Sequence, residues 1–247
     1  MKIKHNTLKK FLSIAVTVLF VVAVLVSVPA AQAVSGSPAY AGAFSGAQIP
    51  AEFIFQQSAD AVFMLETFDK DGESIRTGSG FFISEDGLAV TNLHVIDGAV
   101  SATITLYNGD VYPVRGVNAV SNEYNLTLIS IDSDEGGWDY LTLGNSDRIE
   151  VGNSVYTIGS PLGLINTMSA GIVSNTKRDV DGETLIQFTA PISFGSGGTA
   201  LLNTLGQVVG VASSSFSYGQ NLNLAVPINH VKAMKAGESV PLSELLG

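Results

Sequence analysis

Cysteine is absent from the 247 residues, and histidine occurs three times, at His5, His94 and His230. Without thiols there is no disulfide framework, no thiolate metal site and no cysteine nucleophile. With no HxxxH pair and only scattered carboxylates, no metal or cofactor is expected. Basic side chains are scarce as well: 12 Lys and Arg stand against 22 Asp and Glu, a formal charge of −10. A chain of that sign repels nucleic acid and anionic lipid, so neither is an expected partner. Only 14% of residues are charged while 46% are hydrophobic, which excludes intrinsic disorder and leaves enough apolar mass for one large core or two small ones.

Long apolar runs are missing except at the N-terminus. Lys2, Lys4, Lys9 and Lys10 precede an almost unbroken apolar stretch over residues 11–29, and Ala31-Gln32-Ala33 then supplies a small-x-small cleavage pattern. Residues 1–33 are expected to be a secretory signal peptide, the alternative being an uncleaved anchor that spans the bilayer. Either way the remainder is expected outside the cytoplasmic membrane: secreted, periplasmic or on its outer face, with membrane contact only through an uncleaved segment. Cleavage after Ala33 leaves 214 residues and removes four basic and no acidic side chains, so the formal charge falls to −14. Residues 34–54, rich in Ser, Gly, Ala and Pro, read as a flexible leader.

From about residue 60 the pattern is β. Short apolar or alternating stretches (61–68, 78–84, 88–91, 101–107, 111–120, 126–131) are separated by turn clusters such as Asp69-Lys70-Asp71-Gly72 and Asn108-Gly109-Asp110. A second series starts at Val151, and only residues 229–236 look helical. No repeat of 20–50 residues is visible. The expectation is an all-β chain of two packed six-stranded barrels with a short C-terminal helix, residues 55–136 forming one barrel and residues 137–247 the linker, the second barrel and the helix.

Residues 77–99 read TGSGFFISEDGLAVTNLHVIDGA. This segment resembles the catalytic-histidine region of trypsin-like serine proteases, in particular the bacterial HtrA (Do-like) branch, which reads close to G-S-G-F-I-I-x-x-x-G-x-I-x-T-N-x-H-V-V-x-x-A. VGNSVYTIGSPLGL from Val151, MSAGIVS from Met168, IQFTAPISFGSGGTALLNTLGQVVGV from Ile186 and NLAVP from Asn223 are similar to further segments of that family in the same order. The resemblance covers roughly residues 55–235. It implies a double β-barrel with a peptide-cleaving site between the barrels, acting on peptide or unfolded protein. Active HtrA enzymes also carry a PDZ domain, which this chain is expected to lack.

That chemistry needs a serine nucleophile, a histidine base, a carboxylate that orients the imidazole, and two backbone N–H groups for the oxyanion. His94 matches the base. Where the family reads D-L-A-L, this chain reads Asn125-Leu126-Thr127-Leu128, so Asn125 takes the aspartate position; Glu123, two residues earlier, is a candidate substitute. Around the nucleophile the chain reads Ser193-Phe194-Gly195-Ser196-Gly197-Gly198-Thr199. Two registers are open. Aligned on Ser-Gly-Gly, Ser196 is the nucleophile; aligned without gaps, the nucleophile position falls on Gly197. Gly195 and Gly197 are the candidate oxyanion N–H pair. Ser213, Ser214 and Ser215 match the strand that pairs with substrate, and the uncharged neighbourhood of Ala190 and Pro191 implies a small or aliphatic recognised side chain. Two functions follow: a serine endopeptidase using Ser196, His94 and Asn125, or a catalytically silent relative that binds peptides or partner proteins in the same cleft.

Overall fold

The computed structural model describes residues 49–132, 137–160, 163–193, 195–213 and 222–244. The expected signal peptide, residues 34–48 of the leader, and Ser214 and Ser215 lie outside the described residues.

Twelve strands form two closed antiparallel barrels. The first contains β1 (Val62–Phe68), β2 (Ser74–Phe82), β3 (Leu88–Asn92), β4 (Ser101–Thr105), β5 (Val111–Ser121) and β6 (Leu126–Ile131), in the order β1-β2-β3-β6-β5-β4. The second contains β7 (Ser154–Gly159), β8 (Thr167–Val180), β9 (Glu183–Phe188), β10 (Thr199–Leu202), β11 (Val208–Ser213) and β12 (Asn223–Pro227), in the order β10-β11-β12-β9-β8-β7. Read in the reverse direction, that is the order of the first barrel, so the topology repeats although no repeat is visible in the sequence. Closure removes the exposed edges that would template aggregation.

Turn chemistry sets the strand boundaries. Gly109, at φ +91°, closes the β4–β5 hairpin, where Leu106 N–H donates to Asp110 O at 2.9 Å. Burial along β2 changes at Gly78: the first four residues face solvent and the last five are buried, because the strand runs from the rim into the joint between the barrels. Phe63, Phe81 and Phe82 are fully buried. Phe82 stacks on Trp138 with ring centroids 4.6 Å apart, and Tyr112 meets Trp138 edge-on, so a residue of the inter-barrel connection plugs the first barrel. The core is continuous across the joint: Val62, Phe81, Val90 and Leu128 of one barrel belong to the same buried cluster as Ile158, Ala200, Leu202 and Val226 of the other.

Both ends of the described chain cross to the opposite barrel. Residues 51–54 do not form a flexible leader but begin helix α1 (Ala51–Ser58). Its first turn carries Glu52, which suits the helix dipole, and Ile54 and Ser58, one turn apart, are its buried face. Ile54 is fully buried in the shared core, and Ile49 N–H donates to Thr204 O of the second barrel at 3.1 Å. At the other end, helix α3 (Ile228–Ala233) is followed by an extended segment that returns to the first barrel. There Val117 and Val240 exchange backbone hydrogen bonds of 2.8 and 2.9 Å, and Leu242 is buried with Val117.

Because Ile54 is a core residue rather than part of a leader, Ile54→Ala is expected to destabilise the protein by about 2–5 kcal/mol. Urea unfolding followed by tryptophan fluorescence measures this, and a change below about 0.5 kcal/mol would place residue 54 outside the core.

Candidate active site

The joint between the barrels gathers the residues singled out from the sequence. β3 ends at Asn92, and a single helical turn, α2 (Leu93–Ile96), carries His94. Asn125 lies in the turn between β5 and β6 at φ +50°, a left-handed conformation that asparagine tolerates better than most residues. Its backbone oxygen accepts from Leu93 N–H at 3.0 Å and from Asn92 Nδ2–H at 2.9 Å. Its side chain faces His94 twice: Oδ1 accepts from the His94 backbone N–H at 2.9 Å, and Nδ2 lies 2.8 Å from His94 Nδ1.

These two contacts fix the imidazole tautomer. A backbone N–H can only donate, so the amide oxygen of Asn125 must face it, and flipping the amide would set two donors against each other. The NH₂ group therefore points at Nδ1, which must accept. The neutral ring then carries its proton on Nε2. A carboxylate in the same place would accept from both groups and hold the proton on Nδ1, leaving Nε2 free to act as a base. Burial holds the His94 pKa below its ordinary value, and the nearby Arg76 guanidinium acts in the same direction. A hydrogen bond from Asn125 would oppose this only with its oxygen toward the ring, and that oxygen is committed to the backbone.

Gly197 stands opposite Nε2. A Cβ added there would lie 2.8 Å from His94 Nε2 and 3.1 Å from Cε1. Its φ is outside the left-handed region, unlike Gly195 at +83° and Gly198 at +87°, so the backbone does not require glycine at 197. Gly198 does need it: a Cβ would sit 2.0 Å from Ser79 O, and its N–H donates to Asn92 Oδ1 at 2.7 Å and to Ala212 O at 3.1 Å. Ser196 is buried. Its Oγ accepts from Ser193 N–H at 3.1 Å while its own N–H donates to Ser193 O at 3.0 Å, which ties the hydroxyl into its local turn. Among the described residues, the N–H groups of Gly195 and Gly197 donate to no acceptor. Ser79 braces this loop from the first barrel, with its N–H on Gly197 O at 2.7 Å and its hydroxyl on Gly195 O at 3.3 Å.

Ser213 is buried at the end of β11, opposite Leu224 of β12. Pairing of β11 with β10 ends at Ala212–Thr199, so β10 does not continue alongside Ser213. Glu123 does not take the place of the missing aspartate. It raises the pKa of the neighbouring Tyr124 hydroxyl, and Tyr124 stacks on His230 with centroids 3.7 Å apart. The sequence reading did not single out Asn92 and Ser79. Both stand in the quoted motif, but their work is long-range: Asn92, next to the histidine turn, bonds both the Asn125 turn and the Gly198 loop.

Residues 78–211 match the family described as a trypsin-like peptidase domain. The chain belongs to this family. It is 33% identical over 177 residues to HhoA of Synechocystis sp., which carries a serine-protease name, covering 66% of this chain and 44% of that protein. It is 32% identical over 198 residues to a protein of Halomonas elongata named as a periplasmic DegP-like serine endoprotease, covering 76% of this chain and 41% of the relative. The solved structure of the HtrA-type protease AlgW with tripeptide superimposes with a TM-score of 0.65 at 30% identity, over 73% of this chain and 61% of the other. The chain thus spans under half the length of these two curated relatives.

In ¹⁵N-detected NMR, neutral His94 is expected to carry its proton on Nε2 and to titrate below the ordinary value of 6.5. Asn125→Asp is expected to move the proton to Nδ1 and raise the pKa. A ring protonated on Nδ1 in the unsubstituted protein would contradict the tautomer assignment.

Proposed function

We propose that this trypsin-like family member is an exported, catalytically silent protein that binds peptide or unfolded protein segments in the cleft between its barrels. The observation that carries the reading is the pairing of His94 Nε2 with the side-chain-free Gly197, while the hydroxyl of Ser196 is held by Ser193. The ungapped register is therefore preferred, and it leaves the cleft without a nucleophile. Asn125 adds a second deficit, because its amide keeps the Nε2 proton in place and offers no charge to stabilise an imidazolium. Gly195 and Gly197 retain the role of an oxyanion-type N–H pair, and the end of β11 at Ser213 takes an extended peptide by strand addition. Export is supported by the basic and apolar N-terminal segment with its Ala31-Gln32-Ala33 pattern, and by the periplasmic name of a relative.

The test is casein hydrolysis together with fluorophosphonate labelling. Neither is expected for the unsubstituted protein; a label abolished by Ser196→Ala would overturn the reading and restore the endopeptidase. The double substitution Gly197→Ser with Asn125→Asp is expected to gain labelling. Gly197→Ser alone should react about 10⁴-fold more slowly than the double variant, since the wrong tautomer remains.

A further inference from the structure

We infer that His230 is a positioning residue: from the second barrel it holds the Asn125 turn in place, and through that turn the contact between Asn125 and His94. The inference is independent of whether the cleft is catalytically silent, because any side chain at 125 needs the turn in place. The turn between β5 and β6 is weakly held by its own bonds. Asn125 N–H to Asn122 O and Tyr124 N–H to Ser121 Oγ both span 3.4 Å, long for hydrogen bonds. Asn125 also sits at φ +50°, a conformation that opposes the turn further. Asn92 and Leu93 of the first barrel bond the Asn125 carbonyl. The second barrel supplies another support one residue earlier, where Tyr124 stacks on His230 with ring centroids 3.7 Å apart and planes inclined by 25°.

His230 is a firm support because α3 is tied to the second barrel along its length. Ile228 and Val231 are buried. Asn229 N–H donates to Ser146 Oγ at 3.3 Å, and Asn229 Nδ2–H donates to Asn145 Oδ1 at 2.9 Å. Lys232 Nζ donates to Gly144 O at 3.0 Å. Beyond α3 the chain grips β5 itself. Gly237 N–H donates to Asn118 O at 2.8 Å, Asn118 Nδ2–H donates to Gly237 O at 3.1 Å, and the Val117–Val240 pair follows. One continuous segment, residues 228–240, therefore meets the Asn125 turn at Tyr124 and the strand leading into it at Val117 and Asn118. Burial holds the His230 pKa below its ordinary value, against the pull of Glu123 and Asp147, so the ring is neutral at pH 7. Its contact with Tyr124 is a neutral aromatic pair, which a phenyl ring reproduces.

The test follows two NMR signals on the full-length chain: hydrogen exchange of the His94 backbone N–H, which is bonded to Asn125 Oδ1, and the Asn125 side-chain NH₂ resonances. His230→Ala is expected to speed the exchange about 2- to 10-fold, the worth of one aromatic pair, and to shift the NH₂ resonances. Tyr124→Ala should do the same from the other partner, and the double variant should do no more than either alone. His230→Phe should restore both signals to those of the unsubstituted protein. Ile54→Ala, which weakens the shared core away from the stack, should leave both in place. Circular dichroism confirms folding of each variant. Unchanged signals in folded His230→Ala or Tyr124→Ala would overturn the inference. An equal change in Ile54→Ala would overturn it as well, by showing general loosening rather than positioning. Failure of His230→Phe to restore the signals would overturn the role of the stack. Casein hydrolysis by the unsubstituted protein would overturn the silent reading and leave this inference standing.

Discussion

The hydrogen bond from the His94 backbone N–H to Asn125 Oδ1 is the contact on which the chemistry of the joint depends. It involves no catalytic atom. Yet a backbone amide cannot reverse its polarity, so it dictates which end of the asparagine faces the ring. The ring in turn has no choice of tautomer. A single atom exchanged between carboxylate and amide thereby reaches from a turn in the first barrel to the loop of the second, through an imidazole that keeps its place.

The neighbouring glycines show how two identical residues can mean opposite things. At Gly198, the torsion of +87° and the carbonyl of Ser79, 2.0 Å from where a Cβ would stand, leave no alternative to glycine. At Gly197 the torsion is ordinary and no backbone atom stands in the way; what an added Cβ would meet is the ring of His94, 2.8 Å away. The architecture that presents residue 197 to the histidine, including Asn92 and Ser79, is intact.

Much of this was legible in the sequence because short-range patterns encode it. Strand β6 is readable to the residue, since the apolar stretch at 126–131 is bounded by a polar turn before it and an acidic, glycine-bearing connection after it. The pairing of His94 with Asn125 was legible from motif order. Helix α1 was not: Ala, Ser and Pro dominate its surroundings, and its large buried apolar side chain, Ile54, acquires its meaning only when the second barrel covers it. The orientation of the Asn125 amide was also beyond reach, because it depends on a backbone group 31 residues away. The two registers at Ser196 and Gly197 could be stated but not ranked by chemistry until the ring of His94 was placed against one of them.

The crossed ends have a consequence for how the molecule comes apart. Helix α1 precedes the first barrel yet is anchored on the second, and the segment around Val240 follows the second barrel yet is bonded to the first. Each barrel therefore wears a strap supplied from the far side of its partner. Separating the barrels would strip apolar surface from both and break the ladder between Val117 and Val240 at the same time. Such a molecule has no half that is complete by itself, so its two barrels unfold as one cooperative unit. The relative placement of His94 and Gly197, which lie on different barrels, is then as durable as the global fold.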